Sequence, residues 1–274
     1  MSDIYTLTRR SSPLLLSQPH AGTEIPAALE KRMTKAAQGR PDTDWHMARL
    51  YDDMAEALGA SVITANYSRF VIDLNRDPDG ISLYPGMSVT ELCPLSLFDD
   101  AQIYLDGQNP EEAEISERKI HYWQPYHDAL ASEIDRIKAE HGYALLYDCH
   151  SIRCILPRFF EGRLPTLNLG TGDGKTLAPD LERAVEKIAA DSPYSHALNG
   201  RYKGGYITRH YGDPAQNVQA LQMELAQEDY MEEVSPFPYL DEKAKKLQPT
   251  LKLILEEMLD WGQRTRDRAE GPAI

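Results

Sequence analysis

The sequence predicts an α/β fold, in which a largely parallel or mixed sheet is covered by helices on both faces. Segments typical of buried strands alternate with amphipathic helical segments along the chain. Of the 274 residues, 42% are apolar and 26% are charged, which excludes disorder as the main state. No apolar run reaches the roughly 18 residues that a membrane span needs. We therefore expect residues 1–274 to form a single α/β domain.

The first half of the chain contains three strand-like segments and one helical segment. Residues 14–17 form an apolar run that ends before Pro19, as a buried strand does. From residue 44 to 58, apolar residues recur at steps of three and four, and Gly59 then stops the predicted amphipathic helix. Residues 60–65 and 70–74 are rich in β-branched residues and are predicted to be extended.

The second half begins with residues 77–109, which are rich in Gly, Pro and Asp. Long loops in compact domains are often functional, so this segment is a candidate active-site loop. The pattern then predicts a helix over 111–140 that is interrupted near Pro125, followed by a buried strand over 143–148. Beyond these, it predicts a helix over 177–190 and extended segments over 206–210 and 218–225. A helix over 241–261 that contains Pro249 is the last predicted element.

Charge and cysteine content restrict the partners. The formal net charge of −14 repels nucleic-acid backbones, and no basic stripe overcomes this repulsion. An acidic protein can still bind a small anion in a pocket that concentrates a few arginines. The three cysteines give an odd count without paired spacing, and the first residues lack the features of a secretory signal. We expect a cytoplasmic protein with a small-molecule partner, bound neither to nucleic acid nor to a membrane.

Chemically reactive side chains stand at the ends of predicted strands, where ligands bind in open α/β sheets. His20 follows the first strand, and Asp148 and His150 end the most hydrophobic one. Asp44 stands at a predicted helix start, where it either caps the helix or offers an oxygen ligand. Glu224 lies between apolar neighbours, as a partner of a buried arginine or as a catalytic base. Two histidines and a carboxylate suit a three-ligand Zn²⁺ site, and a separate Glu suits proton transfer in amide hydrolysis.

Arginines supply the complementary charge. Arg69 and Arg76 flank one short segment, with Asn75 beside Arg76 as an amide donor, and Arg209 is a third arginine near a predicted strand. Guanidinium groups bind carboxylates through two parallel hydrogen bonds, so these residues are candidates for binding an anionic substrate. For any one of them, a surface ion pair is the alternative role.

Several segments together resemble the N-formylglutamate amidohydrolase family, and more closely its deformylase branch, which serves histidine degradation. The most specific are Ser-Arg-Phe-Val-Ile-Asp-Leu-Asn-Arg at 68–76 and Gly-Gly-Tyr-Ile-Thr-Arg-His-Tyr-Gly at 204–212. They are joined by Gln-Pro-His-Ala-Gly-Thr at 18–23, Asp-Thr-Asp-Trp-His at 42–46, Asp-Cys-His-Ser at 148–151 and Gln-Met-Glu-Leu at 222–225. The resemblance runs from about residue 13 to 262.

The resemblance implies a mixed sheet flanked by helices, similar to the zinc carboxypeptidase and aspartoacylase group, and one divalent metal ion, expected to be Zn²⁺. It implies His20, His150 and Asp44 as metal ligands, Glu224 as general base, and Asn75 with Arg76 as a carboxylate clamp. The wider group takes its carboxylate ligand three residues after the first histidine, where this chain has Thr23, so Glu24 is the alternative to Asp44.

The implied reaction is removal of the formyl group from N-formyl-L-glutamate, whose two carboxylates Arg76, Arg69 and Arg209 would bind. Two alternatives stay open. One is metal-dependent deacylation or carboxypeptidase-like cleavage of another N-acyl amino acid. The other is a non-catalytic protein that binds a dicarboxylate and in which the histidines are structural.

Overall fold

The computed structural model describes residues 3–81, 86 and 89–270, and within them it contains a seven-stranded mixed sheet with helices on both faces. The strands are β1 (Tyr5–Thr8), β2 (Leu14–Gln18), β3 (Ser61–Ala65), β4 (Ala144–Ile152), β5 (Leu167–Gly170), β6 (His196–Leu198) and β7 (Val218–Ala226). The α-helices are α1 (Ala27–Glu30), α2 (Lys35–Gln38), α3 (Met47–Ala57), α4 (Glu112–Arg118), α5 (Gln124–His141), α6 (Pro179–Asp191), α7 (Tyr206–Tyr211) and α8 (Asp241–Glu270). The predicted fold class is confirmed.

The strand order brings four parallel strands together at the centre of the sheet. The order is β1-β3-β2-β4-β7-β5-β6, and the pairs β3–β2, β2–β4 and β4–β7 are parallel. β1 and β5 run antiparallel to β3 and β7. The carboxyl ends of β2, β4 and β7 therefore meet at one edge of the sheet, which is where a parallel sheet positions a ligand site.

Successive side chains of the central strands enter two different cores, because they alternate between the faces of the sheet. Leu14 and Leu16 of β2 pack in the core that contains residues of α3, α6 and α8. Leu15, between them, packs in the core that contains residues of α5. Burial on both faces explains why β2 and the first half of β4 begin with continuous apolar runs in the sequence.

Most predicted elements are present with shifted ends. The predicted strands at 14–17, 60–65, 143–148 and 218–225 are β2, β3, β4 and β7, and the predicted helices at 44–58, 177–190 and 241–261 are α3, α6 and α8. The predicted interruption near Pro125 is a π-helical turn at Lys119–Trp123, between α4 and α5. Gly142 ends α5 in the left-handed conformation, with φ of 82°.

Two predicted extended segments are wrong. Residues 70–74 form turns, in which Val71 N–H donates to the Ser68 carbonyl at 2.8 Å, and their apolar side chains are buried without a strand partner. Residues 206–210 belong to helix α7. The N–H of Ile207 in its first turn donates to Asn75 Oδ1 at 2.8 Å, and this tertiary bond is invisible in the local sequence. The short strands β1, β5 and β6 were not predicted.

The segment 77–109 contains no helix and no named strand in its described part, as predicted for a loop. Part of this predicted loop, residues 82–85, 87 and 88, lies outside the described residues. Its described part includes Thr90 and Phe98, which are buried against the site at the edge of the sheet. Across 3–81, 86 and 89–270, no helix combines the length and hydrophobicity that crossing a bilayer requires.

Candidate metal centre and active-site cleft

His20 and Asp44 come from two loops that are tied together at the end of β2. His20 lies two residues beyond this strand, and Asp44 precedes α3. The N–H of Asp44 donates to the His20 carbonyl at 3.1 Å, which holds the second loop across the strand end. The two residues are 3% and 1% exposed, so a carboxylate and an imidazole are both removed from water here.

His150 joins them from the neighbouring strand. β4 pairs with β2 so that Asp148 lies opposite Ser17, and β4 then continues to carry His150 alongside His20. The two imidazole centroids are 4.8 Å apart. His20, Asp44 and His150 each offer a ligand atom, and these atoms lie within 4.8 Å of one another. We refer to these three residues as the ligand cluster; it contains Asp44, whereas the alternative, Glu24, has an exposed side chain.

The outer nitrogen of each imidazole has a polar neighbour. His20 Nε2 lies 2.7 Å from Asp73 Oδ1, and His150 Nε2 lies 3.2 Å from Asp148 Oδ2 and 3.0 Å from Asn75 Nδ2. The inner nitrogens face one oxygen: Nδ1 of His20 and Nδ1 of His150 are 3.7 Å and 3.2 Å from Asp44 Oδ2. Histidine ligands of metal ions commonly have their second nitrogen held by a carboxylate in this way.

Strong electrostatic coupling accompanies this packing. Burial would raise the pKa of Asp44, but its bonds to His150 and His20 outweigh burial and hold the pKa well below its usual value. Burial likewise disfavours the charged form of His150, but Asp148 and Asp44 raise its pKa well above the usual value. Burial of Asp73 is outweighed by Arg69 and Arg76, so the pKa of Asp73 is also lowered. These lowered pKa values favour the ionised carboxylates of Asp44 and Asp73 beside the imidazoles.

Glu224 lies beside the ligand cluster on β7. The register of β4 and β7 pairs His150 with Glu224. Burial raises the pKa of Glu224 to about 8, with His150 opposing the rise and Asp44 adding to it. Gln222 Nε2 donates to Glu224 Oε2 at 3.1 Å. A carboxyl group with a pKa near neutrality can both accept and donate a proton, as a general acid–base group must.

The four residues predicted to bind an anion have different surroundings. Arg69 is buried and donates to Asp73 Oδ2 at 2.6 Å, while Arg76 donates to the carbonyl and hydroxyl of Thr90 at 3.1 and 2.9 Å. Asn75 has its Nδ2 at His150. Arg209 lies on α7, and its Nε donates to the Gly204 carbonyl at 2.7 Å.

A cleft of about 550 Å³ brings most of these groups to one space. Six predicted site residues line it: His20, Arg69, Asn75, Arg76, His150 and Glu224. Asp44 is buried behind the two histidines, and Arg209 is not among the lining residues. Three further residues line the cleft and were not predicted from the sequence: Phe98, Arg201 and Gln222. Gln222 had a detectable signal, because it lies two residues before Glu224 in a strand and so on the same face.

Comparison with known proteins gives a consistent result. The family model described as N-formylglutamate amidohydrolase matches residues 12–231. The N-formylglutamate deformylase of Pseudomonas putida is 45% identical over 269 residues, which are 98% of this chain and 100% of that protein. The N-formylglutamate deformylase of Pseudomonas aeruginosa is 46% identical over 264 residues, which are 96% of this chain and 98% of that protein.

Solved structures share the fold. The crystal structure of N-formylglutamate amidohydrolase from Ralstonia eutropha superposes with a TM-score of 0.81 at 28% identity, covering 95% of this chain and 98% of the other. A protein from Agrobacterium tumefaciens superposes with a TM-score of 0.73 at 16% identity, covering 94% and 96% of the two chains, which shows a shared fold alone.

Proposed function

Because the chain belongs to the N-formylglutamate amidohydrolase family, we propose that it hydrolyses N-formyl-L-glutamate to L-glutamate and formate, as a metal-dependent enzyme of histidine degradation. The observation that carries this proposal is the convergence of three kinds of group on one cleft. A ligand cluster, an acid–base carboxyl group at Glu224, and the guanidinium groups of Arg69, Arg76 and Arg201 all meet there.

The ligand cluster fits a divalent metal ion. Its Nδ1–Oδ2 separations of 3.7 and 3.2 Å bracket the ~3.3 Å edge of a tetrahedron with ligand bonds about 2.0–2.1 Å long. Asp44 Oδ1 is buried and forms no hydrogen bond with any described residue. In this proposal His20, His150 and Asp44 hold the ion, and two imidazoles with one carboxylate favour Zn²⁺. When bound, the ion supplies Lewis acidity, which makes water more acidic and a carbonyl carbon more electrophilic.

Arginines bind the substrate's two carboxylates in this proposal. Arg76 is a quarter exposed and is held in place by Thr90, so its guanidinium is oriented before substrate arrives. Arg201 lines the cleft, with its Nε donating to the Phe159 carbonyl at 2.7 Å. We assign the second carboxylate, that of the substrate's side chain, to Arg201, in the role that the sequence suggested for Arg209. Arg69 is paired with Asp73, so its charge offsets those of the buried carboxylates around the ligand cluster.

Glu224 transfers the proton. Its carboxylate removes a proton from the water molecule whose oxygen attacks the formyl carbon. The carbon–nitrogen bond then breaks, Glu224 gives the proton to the departing nitrogen, and formate and glutamate are the products. The carboxyl group of Glu224 holds the proton between the two transfers.

A formate-release assay tests the proposal. Purified protein is incubated with N-formyl-L-glutamate, with a chelator, and with the chelator followed by added Zn²⁺. We expect release of one formate per glutamate formed, loss of activity with chelator, and recovery with metal. The variant Glu224→Gln should retain bound metal and lose turnover by about 100-fold or more.

Parallel reactions with N-acetyl-L-glutamate and N-formyl-L-aspartate test the specificity. Faster hydrolysis of either one would assign the enzyme to another deacylase activity. Binding of N-formyl-L-glutamate without turnover in the metal-loaded protein would indicate a dicarboxylate-binding protein.

A further inference from the structure

Gln222 is a buried amide that connects the proposed base to a neighbouring loop. It is 2% exposed and lies two residues before Glu224 on β7, so both side chains are on the same face of the sheet. Its Oε1 accepts the N–H of Gly205 at 2.6 Å, and its Nε2 donates to Glu224 Oε2 at 3.1 Å. Both ends of the amide are therefore used.

The direction of this amide is fixed by chemistry. A backbone N–H can only donate, so the end of Gln222 that faces Gly205 must be the oxygen, and the NH₂ group must face Glu224. Gly205 packs closely against Asn75, because a Cβ at this position would be 2.2 Å from Asn75 Nδ2. The N–H of Ile207, two residues further on, is held by Asn75 Oδ1. Glu224 consequently has a fixed donor at Oε2.

The adjacent strand repeats this arrangement. Asp148 and Gln222 are paired in the register of β4 and β7, and so are His150 and Glu224. On β4, Asp148 Oδ2 lies 3.2 Å from His150 Nε2, just as Gln222 contacts Glu224 on β7. On both strands the earlier residue contacts the one two positions later. An amide at 222 suits this role, whereas a carboxylate there would face the carboxylate of Glu224 and repel it.

We propose that Gln222 is a positioning residue that holds Glu224 Oε2, so that Oε1 is the oxygen that takes and returns the proton. This inference rests on the proposed function for the identity of the reaction, and on the two hydrogen bonds of Gln222 for the geometry. Oε1 of Glu224 has no hydrogen bond to a described residue, which leaves it to the reacting water. Gln222 does not touch substrate in this account; it acts through Glu224.

Two substitutions separate positioning from structural support. Gln222→Met keeps the length of the side chain and removes both hydrogen bonds. Gln222→Glu keeps an acceptor for Gly205 and replaces the donor to Glu224 with a second carboxylate. Gln219→Met is the matched control: Gln219 is on the same strand, is 4% exposed, and its Oε1 accepts the N–H of Ala178 at 2.7 Å, but it does not line the cleft.

We expect both Gln222 variants to lower kcat for formate release by about 10- to 100-fold, part of the contribution of a positioned general base. The metal content of both variants and the KM of Gln222→Met should stay within about threefold of wild type, and Gln219→Met should keep wild-type kcat. A purely structural role at Gly205 predicts wild-type kcat for Gln222→Glu. That result, or an equal loss in Gln219→Met, would overturn the proposal.

Crystal structures of the wild type and the Gln222 variants provide a readout that does not depend on activity. We expect one orientation of the Glu224 carboxylate in the wild type and a rotated or mixed orientation in the variants. An unchanged Glu224 in both variants would overturn the proposal. If the wild type releases no formate from N-formyl-L-glutamate, the proposed function fails, and the orientation of Glu224 still decides whether Gln222 positions it. If Gln222→Met does not fold, Gln222→Glu supplies both measurements.

Discussion

Asp73 holds the centre of the polar network around the ligand cluster, and Asp73→Asn is the substitution with the clearest expected outcome. The residue is fully buried. One carboxylate oxygen is 2.7 Å from His20 Nε2 and accepts the N–H of Asn75 at 2.9 Å, and the other accepts from Arg69 at 2.6 Å. Asparagine has nearly the same shape, so the substitution removes the charge and one acceptor without creating a cavity.

The structure predicts that Asp73→Asn lowers both the free energy of unfolding and the affinity for the metal ion. Arg69 stays buried and is left with Asp44, 3.9 Å from its Nη1. Removing one partner of a buried ion pair lowers the free energy of unfolding by about 3–5 kcal/mol. Because Arg69 keeps its interaction with Asp44, we expect a decrease of about 3 kcal/mol. His20 loses the carboxylate that orients its ring, and such a loss typically lowers metal affinity by about 10- to 100-fold.

Urea unfolding of the metal-free protein measures the first loss, and competition with a chelating dye measures the second. Asp42→Asn is the control, because Asp42 is also buried and accepts from Phe98 N–H at 2.9 Å and Arg153 at 3.1 Å, outside the ligand cluster. It should keep metal affinity within about threefold. Wild-type metal affinity in Asp73→Asn, or equal losses of affinity in both variants, would show that Asp73 does not orient His20 for metal binding.

Three further outcomes follow. Arg76→Met should raise the KM for N-formyl-L-glutamate about 10- to 100-fold, the equivalent of a charge-assisted hydrogen bond, while elemental analysis finds unchanged metal content. Arg201→Met should lower kcat/KM more for N-formyl-L-glutamate than for N-formyl-L-glutamine; equal losses would contradict its assignment to the side-chain carboxylate. Burial lowers the pKa of His127 from 6.5 to about 4. As the pH falls below 6.5, the unfolded chain therefore binds a proton before the folded protein does, and the free energy of unfolding decreases. Between pH 7 and 4, His127 should lower the free energy of unfolding by about 3 kcal/mol. Urea unfolding should show a smaller decrease in His127→Phe over the same pH range. Identical pH profiles for the wild type and the variant would contradict this prediction.

Strand β2 and the first half of β4 could be predicted because burial on both faces gives them continuous apolar sequences. The end of β4 could not be predicted as a strand, because Asp148 and His150 are polar. The local sequence does not show which residues form hydrogen bonds with these side chains. Ser17 donates to Asp148 Oδ1 at 3.2 Å and Thr208 donates to Asp148 Oδ2 at 3.1 Å, and both residues are distant in sequence. The strand therefore extends through its polar residues to Ile152.

The same limit explains the wrong predictions. Phe70 and Val71 pack in a different core from Ile72 and Leu74, so this apolar run reflects burial on two sides of a turn rather than a strand. Helix α7 depends on Asn75, more than 130 residues earlier in the chain. Several residues of the candidate site could be predicted because they follow parallel strands whose ends meet at one edge of the sheet. Arg201 could not be predicted, because it lies in a loop whose position depends on the folded chain.

The most direct test of the metal centre is anomalous diffraction at the zinc absorption edge from crystals of the protein supplied with Zn²⁺. We expect one strong peak, coordinated by Nδ1 of His20, Nδ1 of His150 and a carboxylate oxygen of Asp44. A peak at other residues, or none in crystals grown with excess Zn²⁺, would contradict the assignment of these three side chains as ligands.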